Sequence, residues 1–252
     1  MLTKKQFASL FLGMAICFST FQLSAQSDYS NYSKLTKRLK KLQQSNAGIA
    51  KLETLTKTVG GHTIWTLTLS KGDAKNKPAI AIVSGVDGKH ILGPEMAVSI
   101  AENILKNHKD ILETTTFYIF PNMSPNATEN YFSSLKHYHN GNAKNTDDDR
   151  DGTVNEDAFD DLNKDGLITL MRIEDPTGTY MTSKEDSRIL VKANKNKGEL
   201  GVYKLISEGI DNDQDGDFNE DGKGGIQFNK NFSYKYPYFE PGAGEHAISE
   251  KE

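Results

Sequence analysis

The segment from residue 78 to residue 105 constrains the fold of this chain more than any other part of its sequence. Its apolar run at residues 79–83 predicts a strand that is buried on both faces of a central sheet. Two glycines then permit a tight turn, and Pro94 stands where the first turn of a helix ending at about Asn107 is expected. A buried strand followed directly by a helix is typical of α/β domains.

Three further segments extend this pattern along the chain. Leucines at helical spacing predict a helix from Tyr32 to Leu42, and β-branched and aromatic residues predict strands at 62–70 and 114–120. We therefore expect an α/β fold, a single domain whose mixed, mainly parallel central sheet is flanked by helices. Long polar loops at about residues 140–222 are expected to form an acidic insertion in this domain.

The first 25 residues are predicted to be a signal peptide. Two lysines precede an apolar run at residues 7–18, and small residues at 23–25 form a plausible cleavage site. We expect an exported protein, periplasmic or extracellular, with a mature domain at residues 26–252. Cleavage removes Cys17, so no disulfide or thiol nucleophile is expected in the mature chain. No later segment has the roughly 20 consecutive apolar residues of a membrane span.

The formal net charge of −4 at pH 7 conceals a strong asymmetry along the chain. Residues 147–165 contain nine acidic and two basic residues, and residues 211–221 contain six acidic residues and no basic one. The rest of the chain is mildly basic, and no nucleic-acid-binding motif accompanies this basic remainder. We therefore expect no nucleic-acid partner.

The two acidic regions contain the same eleven-residue pattern, here named the first cassette (residues 147–157) and the second cassette (residues 211–221). Both have acids at positions 1, 3 and 5, glycine at position 6, an apolar residue at position 8 and Asn-Glu-Asp at positions 9 to 11. A related segment at residues 161–169 is named the third loop. Alternating acids before a glycine turn can surround a hard cation that takes six to eight oxygen ligands.

These loops are predicted to bind calcium in a structural role. The bidentate Glu that usually stands at position 12 of calcium loops is missing, so we expect a variant loop closed by the acids at positions 10 and 11. The alternative interpretation is a solvated acidic loop, in which repulsion between carboxylates would favour disorder. The predicted ligands are Asp147, Asp149, Asp151, Glu156 and Asp157 in the first cassette, Asp161, Asn163 and Asp165 in the third loop, and Asp211, Asp213, Asp215, Asp217, Glu220 and Asp221 in the second cassette.

Two pairs of polar residues are candidates for a functional site. Asp87 and His90 follow the predicted buried strand, where ligands gather in open α/β sheets, and both residue types bind zinc. On residue types alone, an Asp-Gly turn followed by a surface histidine is the simpler interpretation. Asn229 and Lys230, expected near a strand end, are an amide and a cation suited to holding a carboxylate.

The order of four motifs resembles the zinc carboxypeptidases of the carboxypeptidase A type. The first motif is the run from Lys77 through the apolar strand to Asp87-Gly-Lys-His90, and the second is Ile119-Phe-Pro-Asn-Met-Ser-Pro-Asn126. The third is Ile226-Gln-Phe-Asn-Lys-Asn-Phe232, similar to the family's Val-Asp-x-Asn-Arg-Asn segment, and the fourth is Ser249-Glu250. The acidic cassettes resemble the insertions of secreted bacterial members.

The resemblance implies an enzyme with one zinc ion that releases carboxyl-terminal residues from peptides. By position, Asp87 and His90 correspond to the family's zinc-binding His-x-x-Glu pair, with the two residue types in reverse order. Asn229 and Lys230 correspond to the pair that holds the substrate's terminal carboxylate, with Lys in place of Arg. Arg172 corresponds to the arginine that stabilises the oxyanion. The family's third metal ligand and catalytic Glu have no counterpart here, so we expect a carboxyl-terminally truncated chain with little or no peptidase activity.

Two other functions remain open from the sequence. The first is a calcium-stabilised, non-catalytic module that binds peptide carboxyl ends through Asn229 and Lys230. The second is a zinc amidohydrolase that acts on small acylated amino acids, although the Asn-Lys-Asn-Phe context favours peptides.

Overall fold

The computed structural model describes residues 29–137, 139–148, 150–219, 221–222 and 224–251. Within it, residues Asn31–Glu252 fall in one compact unit, and the predicted signal peptide lies outside the described residues. Among the residues described, no helix is both long enough and apolar enough to cross a membrane.

The amino-terminal half of the described chain forms a four-stranded sheet with helices packed against it. The strand order is β1-β2-β4-β3. In chain order, the elements are α1 (Tyr32–Ser45), β1 (Ala50–Lys57), β2 (Thr63–Leu69), β3 (Ala79–Val83), α2 (Leu92–Asn107), a 3-10 helix (Lys109–Glu113), β4 (Thr116–Phe120) and α3 (Pro125–Asn130).

This sheet is mixed, as expected, and the fold is α/β, but the prediction of a mainly parallel sheet is wrong for the described residues. β1 pairs with β2 and β2 pairs with β4 in antiparallel fashion, and β3 with β4 is the parallel pair. The reason lies in the connections between strands. A short turn joins β1 to β2 and forces a hairpin, whereas the helix α2 provides the long crossover that a parallel pair needs.

β3 is an edge strand, which corrects the prediction that both of its faces are buried. Its residues pair with β4 alone among the described strands, and Ile80 and Val83 are 47% and 55% exposed. The apolar sequence fits a buried strand, but burial also requires neighbours on both sides of the strand. Ile82 alone packs against the core from this strand.

The core lies between this sheet and helices α1 and α2. Leu35 and Leu39 of α1 lie one turn apart on its buried face, and Asn31 caps the start of that helix by accepting a hydrogen bond from the Lys34 amide. Strands β2 and β4 contribute the sheet side of the core. The buried cluster includes Leu67, Leu69, Phe117 and Ile119 from these strands and Ala97, Val98, Ala101, Ile104 and Leu105 from α2.

Ion pairs also connect the two core helices. The Arg38 guanidinium in α1 bonds the carboxylates of Glu95 and Glu102 in α2, the latter at 3.0 Å. Burial lowers the pKa of Arg38, but the hydrogen bonds to Glu102 and Glu95 outweigh this effect and raise it above its usual value. This bridge holds α2, and with it the loop that precedes α2, against α1.

A second sheet lies within the segment expected to be polar loops. Its strands are β5 (Leu170–Glu174), β6 (Tyr180–Thr182), β7 (Leu190–Lys192) and β8 (Tyr203–Ser207), in the order β5-β8-β6-β7. All of its pairings are antiparallel. A short 3-10 helix at Lys195–Lys197 lies between β7 and β8, and another follows the sheet at Phe228–Lys230. The acidic cassettes flank this sheet in the sequence, so the insertion contains regular structure.

Candidate functional site

The loop after β3 is held tightly against the segment that follows β4. Gly85 has a positive φ of 65°, and a Cβ atom there would lie 2.4 Å from Oδ1 of Asn122. A Cβ atom on Gly88 would lie 2.3 Å from the Cβ of Ala127 in α3. Glycine is therefore required at both positions, and the close packing fixes where the loop residues between β3 and α2 lie.

This loop brings Asp87 and His90 together. Oδ2 of Asp87 lies 3.4 Å from Nδ1 of His90, and their side chains are 23% and 71% exposed. Two ligand atoms on one tetrahedral zinc ion, each bound at about 2.0–2.2 Å, lie roughly 3.3–3.6 Å apart. The observed separation fits a shared zinc ion. Nζ of Lys89 lies 3.5 Å from the same Asp87 oxygen and would have to give way to the metal.

Among the described residues, no third potential metal ligand converges with Asp87 and His90. Groups of at least three His, Cys, Asp or Glu side chains with converging ligand atoms occur within the described residues in the acidic cassettes, and none includes Asp87 or His90. A structural zinc site usually has four protein ligands and a catalytic one three. Among the described residues, Asp87 and His90 thus bring together two of the ligands that such a site would need.

Two asparagines connect this loop to the segment that precedes Asn229. The Gly88 amide donates to Oδ1 of buried Asn140 at 2.6 Å. Asn142 then exchanges hydrogen bonds with Ile226, because its amide donates to the Ile226 carbonyl at 2.9 Å and its Oδ1 accepts from the Ile226 amide at 3.0 Å. Residues 140–142 therefore form a hydrogen-bonded bridge between the Asp87 loop and the third of the four sequence motifs.

Asn229 and Lys230 lie in a 3-10 turn, which corrects the prediction that they stand near a strand end. Asn229 is exposed, and Nζ of Lys230 donates to the Pro241 carbonyl at 2.9 Å and lies 3.6 Å from a Glu240 carboxylate oxygen. The Gln227 amide, just before the turn, donates to the Gly242 carbonyl, and the Asn231 carbonyl, just after it, accepts from the Ile248 amide, so this part of the chain pairs with loop segments. To hold a substrate carboxylate, Lys230 would have to exchange these contacts.

Arg172 lies in β5, which belongs to the second sheet, whereas Asp87 follows the first sheet. Its guanidinium lies over the ring of Tyr203 in the neighbouring strand, 4.9 Å from the ring centroid, and the residue is exposed. The described contacts therefore join Asp87 to His90 but place Arg172 in a separate aromatic contact.

The cassettes and the third loop share one local geometry. The Asp at position 1 accepts hydrogen bonds from the backbone amide at position 6 in all three, as at Asp147 with Gly152 and Asp211 with Gly216, both at 3.1 Å. The Asp at position 5 accepts from the amide at position 7 in each loop. Glycine at position 6 has a positive φ throughout. The repeated sequence therefore folds into a repeated turn.

Each cassette contributes a buried carboxylate that accepts hydrogen bonds from backbone amides of the other cassette. Asp221 of the second cassette accepts hydrogen bonds from the amides of Asp148 and Asn155 in the first. Asp157 of the first cassette accepts from the amides of Asn212 and Asn219 in the second. Both acids are 0% exposed. Both were predicted as calcium ligands, and in the structure each connects positions 2 and 9 of the opposite cassette.

Glu208 performs the corresponding role for the third loop. This carboxylate is 4% exposed and accepts hydrogen bonds from the amides of Leu162, Asn163 and Thr169 and from the Thr169 hydroxyl. The hydrogen bond from that hydroxyl is the largest cause that lowers the pKa of Glu208. Positions 2 and 9 are therefore connected by a buried carboxylate in all three loops. The sequence carried no signal for Glu208, because it stands outside every repeat.

Carboxylates with converging oxygens remain in the cassettes. Asp211, Asp213 and Asp215 form one group, and Asp151, Glu156 and Asp213 form another, each with ligand atoms within 4.8 Å of one another. Burial and the adjacent Asp221 carboxylate raise the pKa of Glu156 to about 7, against a smaller lowering by a backbone hydrogen bond. These separations fit a cation bound to oxygen at about 2.3–2.6 Å.

The other predicted calcium ligands differ in their surroundings. Asp217 is exposed, and the third loop places Asn163 and Asp165 side by side, with Asn163 Nδ2 donating to Asp165 at 3.1 Å. Both Asp161 oxygens accept backbone hydrogen bonds. Asp149 and Glu220 lie outside the described residues.

Comparison with known proteins places these observations in a family. The model of the zinc carboxypeptidase family matches residues 35–252. Carboxypeptidase SOL1 of Arabidopsis thaliana is 29% identical over 160 residues, which is 60% of this chain and 30% of that protein.

Solved structures show more distant similarity. Bovine thrombin-activatable fibrinolysis inhibitor, in complex with a tick carboxypeptidase inhibitor, matches 45% of this chain and 40% of its own, with 11% identity and a TM-score of 0.38. Carboxypeptidase A from Helicoverpa armigera matches 42% of this chain and 27% of its own, with 15% identity and a TM-score of 0.40. The chain thus spans less than half the length of these relatives. Because the family model matches most of the sequence, the chain belongs to the zinc carboxypeptidase family.

Proposed function

We propose that the loop after β3 is the zinc-binding part of a metallocarboxypeptidase site that acts on peptides with a free carboxyl end. The observation that carries this proposal is the 3.4 Å separation between Asp87 Oδ2 and His90 Nδ1, in a chain that belongs to the zinc carboxypeptidase family. The pair lies just past the carboxyl end of a parallel strand, where α/β proteins place their ligands.

Zinc bound at this pair would polarise the scissile carbonyl of the substrate and activate water. The chain's own residues would orient the substrate. Asn229 would donate its amide to the terminal carboxylate, and Lys230 would supply the positive charge after leaving the Pro241 carbonyl. Arg172 is proposed to stabilise the developing negative charge on the carbonyl oxygen, for which it would leave the Tyr203 ring.

Zinc titration tests the metal pair. We expect Asp87→Asn and His90→Ala each to weaken zinc binding by at least about tenfold, since each removes one of two ligands from the described pair. His108→Ala is the matched control, because His108 is an exposed histidine outside the pair. Equal zinc affinity in the wild type and both pair variants would overturn the assignment.

Catalysis is tested with a blocked dipeptide that has a free carboxyl end. Because two ligands among the described residues hold zinc weakly, we expect slow, zinc-dependent turnover at most. Amidation of the substrate carboxyl group should abolish any turnover, since it removes the group that Lys230 would bind. Turnover that survives both zinc removal and amidation would contradict the proposed chemistry.

We also propose that the cassettes bind calcium in a structural role, as in an insertion of a secreted bacterial member of the family, and that the chain is exported. The grouping of Asp211, Asp213 and Asp215 supports the calcium proposal. Calcium should raise the midpoint of thermal unfolding and a chelator should lower it. An unchanged midpoint in both conditions would remove this part of the proposal.

A non-catalytic peptide-binding module is the second candidate, and the incomplete ligand set around Asp87 and His90 in the described residues favours it. In that case, free-acid peptides would bind with equal affinity in the presence and absence of zinc. Binding would still be lost on amidation of the peptide or on Lys230→Ala. Peptide binding that depends on zinc would favour the enzyme instead.

A further inference from the structure

A cavity of about 430 Å³ lies beside the segment that contains the asparagine bridge. Its walls come from α3, from the chain that follows α3 up to Asn145, and from Asn155 and Phe159. The residues proposed for zinc and peptide binding do not line it; they are Asp87, His90, Arg172, Asn229 and Lys230. Small-molecule sites in proteins have volumes of roughly 300–1,000 Å³. The cavity is therefore large enough for a ligand of its own.

Asn142 places an unused hydrogen-bond donor at this cavity. The residue is 5% exposed, and its Oδ1 accepts the backbone amides of Lys144 and Ile226, both at 3.0 Å. These two donors fix the orientation of the side-chain amide, because the end that faces them must be the oxygen. Nδ2 is buried at the other end and has no hydrogen-bond partner among the described residues. Since a buried donor without an acceptor is costly, this position favours a bound group that accepts a hydrogen bond.

Asn126 supplies an acceptor that complements this donor. It lies at the start of α3 and lines the same cavity, and its buried Oδ1 has no hydrogen-bond partner among the described residues. Its side chain packs closely against the turn between β1 and β2, because a Cβ atom on Gly60 would lie 1.8 Å from Nδ2 of Asn126. A ligand that satisfies both asparagines must accept one hydrogen bond and donate another. A hydroxyl-bearing molecule can do both.

The remaining lining favours a neutral ligand. No Asp or Glu is among the described lining residues, and Nζ of Lys144, the single Lys or Arg there, already bonds Glu250 at 2.5 Å. Most of the other polar side chains in the lining are Asn, Ser and His, which can both donate and accept hydrogen bonds. Phe159 adds an aromatic ring, which lies 4.5 Å from the ring of His137. A saccharide ring combines hydroxyl groups at its edge with an apolar face that can lie against an aromatic ring.

We propose that this cavity binds a neutral saccharide unit. Nδ2 of Asn142 donates to one oxygen of the sugar, Oδ1 of Asn126 accepts from a hydroxyl group, and the face of the sugar ring lies against Phe159. A cation would find no carboxylate among the described lining residues, and an anion would find a lysine that is already paired. This site would add carbohydrate binding to a chain whose proposed zinc and peptide residues lie elsewhere.

Titration of the full chain with glucose and with N-acetylglucosamine tests the site. In the nitrogen-15-labelled protein, the side-chain amide resonances of Asn126 and Asn142 should shift in a saturable way with at least one of the two sugars. Asn142→Asp keeps an oxygen for the Lys144 and Ile226 amides but removes the donor, so it should weaken binding at least about tenfold. Asn196→Asp is the matched control, because Asn196 is exposed and lies outside the cavity, and it should leave the affinity within about twofold.

A second variant decides the matter if Asn142→Asp does not fold. Ala143 is exposed and lines the cavity, so Ala143→Phe should block the sugar while leaving the thermal midpoint nearly unchanged. Sugar binding that survives both substitutions, or no binding of either sugar by the wild type, would overturn the proposal. Saturable shifts of the two asparagines with inorganic phosphate or acetamide, but with neither sugar, would also overturn the saccharide class.

Discussion

Replacement of Asp157 by Ala should destabilise the second cassette more than the first, to which Asp157 itself belongs. Its carboxylate is 0% exposed and receives the backbone amides of Asn212 and Asn219. Nδ2 of Asn212 also donates to it at 3.0 Å. The substitution therefore removes the acceptor that connects positions 2 and 9 of the opposite cassette, while the carboxylate that serves the first cassette, Asp221, stays in place.

The size of the effect follows from the number of hydrogen bonds. Each hydrogen bond to a charged group contributes about 1.5–3 kcal/mol, and two backbone donors lose their partner. We expect the free energy of unfolding to fall by about 3–6 kcal/mol, measured by urea denaturation in saturating calcium. Glu185→Ala is the control, because Glu185 is exposed, and it should change stability by less than about 0.5 kcal/mol.

Hydrogen exchange locates the damage. In Asp157→Ala, the amides of Asn212 and Asn219 should lose protection under native conditions, whereas those of Asp148 and Asn155 should keep it. Asp221→Ala should produce the opposite pattern, because Asp221 accepts from Asp148 and Asn155. If each substitution affected only its own cassette, the reciprocal arrangement would be refuted.

Three further predictions concern the scaffold. Gly85→Ala should destabilise the chain by about 1–3 kcal/mol in urea denaturation, because φ is positive there and the new Cβ would lie 2.4 Å from Asn122. Gly61→Ala is the control and should cost less, because Gly61 has a positive φ but no atom within 4 Å of the new Cβ. Glu208→Gln should flatten the acid side of the stability–pH profile: the pKa of Glu208 is lowered from 4.5, so its contribution is present above about pH 4.5 and is lost as pH falls through the lowered value. An unchanged acid limb would contradict this role. Arg38→Met should cost about 1 kcal/mol at low salt and less at 1 M salt, and a cost independent of salt would contradict the ionic bridge to Glu95 and Glu102.

The sequence predicted elements whose side chains show a clear periodicity. The helix from Tyr32 and the strand around Thr63–Leu69 were both expected from their apolar residues, and both occur. β1 was missed, because its residues Ala50–Lys57 are largely polar and the strand forms by pairing with β2. Pairing of this kind depends on a partner distant from the strand's own pattern.

The second sheet was missed for a related reason. Two of its strands, at Tyr180–Thr182 and Leu190–Lys192, are three residues long, which is too short for a periodic signal. Burial of β3 was predicted from its apolar sequence, yet the strand lies at the edge of its sheet. An apolar sequence shows that a strand could be buried, but its burial also depends on whether other elements pack against it.

The candidate site shows the same division between local and tertiary information. The repeated cassettes, with glycine at position 6, were visible in the sequence and fold into repeated turns. The exchange of Asp157 and Asp221 between cassettes was not predictable, because it depends on how two segments about 60 residues apart pack together. The pairing of Asp87 with His90 was implied by the family resemblance, whereas the asparagine bridge at residues 140–142 had no sequence signal that distinguished it from a polar loop.

The most direct test of the account is the position of zinc itself. Crystals of the full chain grown with one equivalent of zinc would be measured at the zinc absorption edge. We predict the strongest anomalous peak between Oδ2 of Asp87 and Nδ1 of His90. A strongest peak in the acidic cassettes, or no peak near the loop after β3, would contradict the proposed zinc site.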